Sequence, residues 1–294
     1  MRYGLSVPVF TGDVGRPVAA ARAAADAGFD AVFAPDHVFP PGRPDRPSVE
    51  ATTLLAACAA AAPGMGVGLL VTRAYLRPVG MLAKIVAGLD HVSGGRAIVG
   101  LGLGDANGKA EHAALGLPFP PIEERTVGFE ETALALRTLF AGAPWPGGER
   151  IGPVAGPLLP PAAAPVWVGG TSDRVIGVAA RSADGWNGWD LDADGFATRA
   201  ATLAARTAEA GRDPTDVVST WGGIVLVGED ADDLARLEAD RTDKGLSMSI
   251  WRGTVADLRA FRDALARAGC AWMIVTAAGP ADRTAVVGAG LVAG

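Results

Sequence analysis

Between Ser93 and Gly108 the chain reads SGGRAIVGLGLGDANG. A short apolar run ends in three glycines at alternate positions, Gly100, Gly102 and Gly104. A dinucleotide-binding fingerprint would need G-x-G-x-x-G between a strand and the immediate start of a helix. Counted from Gly100 the sixth position is Asp105, and from Gly102 it is Asn107, so both frames fail. The following EHAALGLPFPP reads as loop, which leaves no expected helix N-terminus for a pyrophosphate. Glycines alternating along a strand instead leave space on one face of a sheet, where a flat ligand can approach the backbone.

Working outward, strand-like and helix-like segments alternate. Strands are expected at Tyr3–Val9, Ala31–His37, Met65–Thr72, Arg96–Gly104, Pro165–Gly170, Asp184–Trp189, Val217–Gly228 and Cys270–Ala278. Helical patterns separate them, for example RPVGMLAKIVAGLDHVS, whose apolar residues recur at three- and four-residue spacing before Gly94-Gly95. Ala143–Pro165 is a proline- and glycine-rich connection with room for a small hairpin, and a short helix is expected from Asp282 onward. The strands are apolar almost throughout, as in parallel strands covered on both faces. Eight such units predict one (β/α)8 barrel domain over 1–294, with a doubly wound sheet as the rival.

The chain has 294 residues, is 49% hydrophobic and carries a formal charge of −6 without acidic or basic blocks. Clustered Lys and Arg are missing, so neither nucleic acid nor an anionic membrane is an expected partner. Cys58 and Cys270 sit in apolar surroundings and read as small buried thiols, which fits a reducing cytoplasm. The opening MRYGLSVPVF is a strand pattern without the flanks of a signal peptide, and no apolar run has the length of a membrane helix.

A barrel takes its reacting groups from the C-terminal strand ends. Those positions hold Asp36-His37, Thr72-Arg73, Asp105 and Asn107, Thr171-Ser172, Asn187, Trp221 and Thr276. His37 is the candidate for acid–base work, since its ordinary pKa lies near neutrality; the alternative is a structural histidine tied to Asp36. His91 reads as a helix-end residue on the opposite side of the barrel, and His112 is open to either reading. Three scattered histidines make no metal site. In VGGTSDRVIG, paired glycines end a strand and a hydroxyl opens a helix. That is either a phosphate site or ordinary N-capping, and the glycines favour phosphate. Of Trp186, Trp189, Trp221 and Trp251, one or two are expected to face the cavity, with Trp186, Asn187 and Trp221 as substrate-pocket candidates. Lys84, Lys109 and Lys244, the only lysines, fall in helices or loops, which disfavours an aldolase-type barrel.

Taken in order, AADAGFDAVFAPDH, LLVTRAYLRPVGMLAKIVAGLDHVSGGRAIVGLGLG, ALGLPFPPIEERTVGFEETALALRTLF, PVWVGG and AARSADGWN closely resemble the bacterial luciferase-like superfamily, and within it the branch using the deazaflavin coenzyme F420. The resemblance implies a barrel holding a flavin or deazaflavin, the ring lying against the third-strand end at Leu70-Val71-Thr72, often over a non-prolyl cis peptide. It implies that Gly102 and Gly104 wall the same cavity, and that the cofactor phosphate sits near Gly169, Gly170, Thr171 and Ser172. His37 and Asp36 match the family's Asp-His motif. GDANGKAEH departs from the usual GAGW…E pattern, so either Asp105 or Glu111 stands for the acid that faces the ring. The implied activity is F420-dependent hydride transfer to or from a small organic substrate. The competing readings are an FMN-dependent monooxygenase fed by a separate reductase, and a non-catalytic cofactor-binding protein. Family members are often dimers, so the resemblance brings in a homodimer while the sequence leaves the oligomeric state open.

Overall fold

The computed structural model describes residues 1–246, 248 and 250–292. Eight parallel strands close into a barrel: β1 (Arg2–Ser6), β2 (Ala31–Ala34), β3 (Gly66–Arg73), β4 (Ala97–Gly102), β5 (Val166–Gly169), β6 (Gly185–Trp189), β7 (Val218–Gly228) and β9 (Trp272–Ala277). Ring closure runs β6 to β7, β7 to β9 and β9 back to β1. The doubly wound alternative is therefore excluded. β8 (Trp251–Thr254), which the sequence reading did not foresee, lies outside the ring. It pairs with the last four residues of β7, Val225–Gly228, of which only Val225 also pairs with β9. Only four residues long, it runs straight into a capping box formed by Thr254 and Asp257, so its strand pattern is too short to stand apart from the helix that follows.

Side chains alternate between two environments. Phe33, Trp167 and Trp272 point into the barrel, with ring centroids 5.8–6.0 Å apart, and plug it together with Ile98 and Ile274. Their neighbours Val32, Val166, Val168 and Met273 face the helices. Gly4 and Gly68 flank the Phe33 ring, where a Cβ at either position would lie 2.5 Å from it. The space at Gly4 and Gly68 is thus already filled by an aromatic ring.

The helices are α1 (Gly15–Asp26), α2 (Ala51–Ala61), α3 (Val79–Ser93), α4 (Ala106–Ala114), α5 (Ile122–Phe140), α6 (Asp173–Ser182), α7 (Ala193–Glu209), α8 (Ala231–Asp243), α9 (Val255–Arg267) and α10 (Arg283–Leu291). The last is the helix expected from Asp282; residues 293 and 294 lie outside the described residues. LDHVSGG is structural and sits at the end opposite the cavity. The buried Asp90 carboxylate accepts the amides of Ala97 and Ala163, each at 3.1 Å, and Gly94 ends α3 in the left-handed region. The connection after α5 contains one antiparallel bridge, Trp145 to Val154.

α4 corrects the loop expected after Gly104. Asp105 caps it, its carboxylate accepting the Gly108 amide at 3.1 Å. A helix therefore does follow the glycine-rich strand, but its N-terminus already holds a carboxylate of this chain. The dinucleotide reading fails for that reason rather than for want of a helix. Among the described residues no helix is long and apolar enough to cross a membrane.

Candidate functional site

A cavity of about 570 Å³ opens at the C-terminal ends of the strands. That volume lies within the range of small-molecule sites. Its two walls are built differently.

The first wall comes from the ends of β2, β3 and β4. His37 follows β2, and its Nδ1 lies 2.8 Å from Glu111 Oε1 on α4. Glu111 is wholly buried. Its other oxygen accepts the Val38 amide at 2.5 Å, and Arg73, at the end of β3, grips both oxygens at 3.2 and 2.6 Å. Burial works against ionising Glu111. The hydrogen bonds from His37 and Val38, with the charges of His37 and Arg73, outweigh it and hold the carboxyl below the usual carboxylate range. An ionised carboxylate only accepts, so His37 Nδ1 must be the donor, and Nε2 is the ring nitrogen left for the cavity.

Asp36 is not the partner of His37. It is buried and bound by Arg77, whose Nη1 and Nη2 both reach its carboxylate, the latter at 3.3 Å; Arg77 also holds Glu50 at 2.7 Å. The Asp36 amide donates to the Val71 carbonyl at 3.3 Å. Asp36 therefore fixes the strand ends while Glu111 orients the imidazole. Of the two acids left open after β4, Glu111 backs the histidine and Asp105 caps α4.

At the centre, the peptide between Leu70 and Val71 is cis, and the β3–β4 register shifts between Leu69 and Thr72. The bulge pushes the Val71 side chain across the neighbouring strands. A Cβ on Gly102 would lie 2.6 Å from Val71 Cγ2, and one on Gly169 would lie 2.7 Å from its Cγ1. The glycines make room first for Val71, which then forms the cavity's apolar floor with Leu70. Thr72 turns away from the cavity, fully buried, its hydroxyl accepting Arg77 Nη1 at 3.3 Å.

The second wall comes from β5 and β6. Gly170 has φ of +133°, a conformation that glycine alone adopts easily. Its carbonyl is held by Trp186 Nε1 at 2.7 Å and its amide donates to the Asn187 carbonyl at 3.0 Å. Arg199 on α7 holds the Thr171 carbonyl, with Nε at 3.0 Å. Ser172 caps α6 through the Val175 amide at 3.4 Å. Among the described residues the amides of Thr171 and Ser172 have no internal acceptor. They stand with the first amides of α6 at the cavity edge, and such a cluster binds anions.

Asp36, His37, Val71, Gly102, Gly104, Asp105, Gly169, Gly170, Thr171, Ser172 and Asn187 all line the cavity; Thr72, Trp186 and Trp221 do not. Trp186 stacks on Phe196 of α7, and Trp221 donates to the Leu191 carbonyl at 2.7 Å against Phe261 of α9. Both face the helices, because alternation along their strands sends them outward. Trp251 stacks on Phe261, and Trp189 alone of the four borders the cavity. His112 is buried, with Nδ1 2.8 Å from the Pro118 carbonyl and Nε2 without a partner; burial pushes its pKa down. Burial likewise pushes the Cys58 and Cys270 thiols up, to about 11 and about 12. Among the described residues no cluster of His, Cys, Asp and Glu has the makings of a metal site.

The arginines were the main omission of the sequence reading, which named Arg73 only as a strand-end residue and passed over Arg77. A signal for the α4 contribution was present, since Gly108, Glu111 and His112 stand at i, i+3 and i+4 and share the buried face of one helix.

The sequence and the fold have known counterparts. An F420-dependent glucose-6-phosphate dehydrogenase of Beutenbergia cavernae is 34% identical over 120 residues, which are 40% of this chain and 35% of that protein. An F420-dependent hydroxymycolic acid dehydrogenase of Mycobacterium tuberculosis is 29% identical over 255 residues, 81% of this chain and 67% of that one. The chain thus spans only about a third of the first relative's length. The coenzyme F420-dependent tetrahydromethanopterin reductase of Methanopyrus kandleri superposes with a TM-score of 0.80 at 18% identity, over 99% of this chain and 98% of its own. Residues 1–279 match the luciferase-like monooxygenase family, and the chain belongs to that family.

Proposed function

We propose that the chain is a coenzyme F420-dependent oxidoreductase that transfers hydride between the deazaflavin and a small organic substrate. The observation that carries this reading is the His37–Glu111 pair at one wall of a cavity whose opposite wall ends in the open amides of α6. Relatives named as F420-dependent support the choice of cofactor.

The residues present fit such a group. Val71, seated against Gly102 and Gly169, offers a flat apolar floor for the ring. The amides at Gly170–Ser172, backed by the positive end of α6, suit the phosphate. When bound, a deazaflavin carries hydride in two-electron steps and the protein supplies binding, orientation and proton handling. In this reading Glu111 and Arg73 fix the His37 ring, and His37 Nε2 accepts or donates the proton that accompanies the hydride. Asp36 and Arg77 hold the strand ends that carry His37 and Val71.

The family's monooxygenase description supports FMN as the second reading. Absorbance and fluorescence titration with each cofactor separates the two. F420 binding at micromolar concentration with no FMN binding is expected, and the reverse pattern would replace the first reading with the second. A cytoplasmic site of action accords with two buried, unpaired thiols. A homodimer is the assembly we propose, and sedimentation equilibrium checks it.

A further inference from the structure

We infer that the cavity takes an uncharged, largely apolar carbinol or carbonyl substrate, a conclusion that rests on the oxidoreductase reading above. Apart from His37, the charged residues bordering the cavity are Asp36, Arg73 and Asp105. The charge of each is already paired or capped, although the buried Arg73 Nε has no partner. Asp36 is bound by Arg77, Arg73 by both oxygens of Glu111, and Asp105 by the Gly108 amide and the Asn107 side chain at 3.2 Å. Among the described residues the wall therefore offers no spare cation to a substrate carboxylate or phosphate. An anion placed beside His37 would lose water without gaining a partner, and would face the ionised Glu111 and Asp36.

What the wall does offer near His37 is apolar. The Phe10 ring lies 5.7 Å from the imidazole and is 38% exposed. Across the cavity, Trp189 at the end of β6 borders it at 41% exposure, and Leu103 and Ile122 add further apolar lining. Trp189, a large aromatic side chain left open to water at the cavity edge, marks a surface that an apolar ligand would cover. The one feature suited to an anion, the start of α6, lies on the opposite wall and is taken by the cofactor phosphate in this reading.

The chemistry balances with the cofactor as sole redox partner. In the oxidative direction a carbinol C–H bond would break with both electrons leaving as hydride, which a bound deazaflavin would accept. The hydroxyl O–H bond breaks, its proton passing to His37 Nε2, and a C=O double bond forms. The reverse direction reduces a ketone.

Cyclohexanol and trans-4-hydroxycyclohexane-1-carboxylate share a ring and a secondary carbinol and differ by one carboxylate group. With F420 present, kcat/KM for cyclohexanol should exceed that for the carboxylate by about 100-fold. Glucose 6-phosphate should behave like the carboxylate. Saturation-transfer NMR on the cofactor-free protein, with excess inorganic phosphate to fill the α6 start, should rank the two cyclohexanols in the same order, and Trp189→Ala should weaken the neutral ligand by about tenfold. Ile122→Lys should improve the carboxylate by about tenfold by supplying the missing cation. Equal or tighter binding of the carboxylate or the sugar phosphate by the unaltered protein overturns the inference. Failure of F420 to bind overturns the cofactor reading instead, and the NMR ranking still decides the substrate class.

Discussion

The two walls of the cavity solve the same problem with different materials. Around β2, β3 and α4 the polarity comes from ionised side chains, and every one of them is paired: Glu111 with Arg73 and His37, Asp36 with Arg77. Around β5, β6 and α6 it comes from peptide groups, aimed by Trp186 and Arg199. A buried ion pays a large solvation penalty, so it persists only with complete pairing. A peptide dipole carries a smaller fixed charge and tolerates an empty binding position facing water. The first wall is thus suited to holding one proton-active group in one orientation, and the second to receiving an anion that comes and goes.

If that division holds, His37→Ala should lower turnover by about 100- to 10,000-fold, the usual contribution of one acid–base group. F420 affinity, measured by fluorescence quenching, should change little. A large loss of cofactor affinity with turnover intact would reverse the assignment of the two walls.

Next in size is the cost of breaking the pairing itself. Glu111→Leu strands Arg73 in a buried position, with an expected loss of about 3–5 kcal/mol in chemical denaturation. Glu111 also makes stability depend on pH. Its carboxyl is held below the unfolded value of about 4.3, so its stabilisation is complete above that pH and is lost as pH falls through the lower folded-state value. Glu111→Gln should flatten the acid limb of the stability curve. An unchanged limb would show that other carboxylates set it.

These expectations also show what was readable without coordinates. Eight strands, their order and the cavity end were legible because parallel strands buried on both faces leave continuous apolar runs such as AVFA and MIVTA. His37, Gly169, Gly170 and Ser172 were legible because strand ends and helix starts are marked by local chemistry. The Glu111–His37 bond spans 74 residues of sequence, and nothing local couples the two. Asp36, adjacent to His37, was the natural guess for its partner, yet its carboxylate is taken by Arg77, 41 residues away, while His37 turns to Glu111. Alternation along the strands misplaced Trp186 and Trp221, whose aromatic character says nothing about which face of the sheet they occupy.

The floor between the walls offers a sharper probe. Gly102→Ala would set a methyl 2.6 Å from Val71 Cγ2, an overpacking expected to cost about 1–3 kcal/mol and to weaken cofactor binding. Val71 Cβ lies 3.5 Å from the same point, an ordinary contact. Val71→Ala in the Gly102→Ala background should therefore recover part of the lost stability. A double-mutant cycle without coupling would mean that the two side chains do not compete for this space.

The smallest expected effect tests the peptide-built wall alone. Trp186 touches no part of the cavity; it reaches the site only by donating to the Gly170 carbonyl at 2.7 Å. Trp186→Phe keeps the aromatic packing on Phe196 and removes that donor, which should cost about 1 kcal/mol of stability. If the bond serves to aim the amides of Thr171 and Ser172, the variant should bind the cofactor several-fold more weakly while kcat at saturating cofactor stays near the original value. A fall in kcat with unchanged cofactor affinity would mean that the α6 start acts on the reacting groups as well, and the separation of a proton-handling wall from an anion-holding wall would fail at the residue furthest from the chemistry.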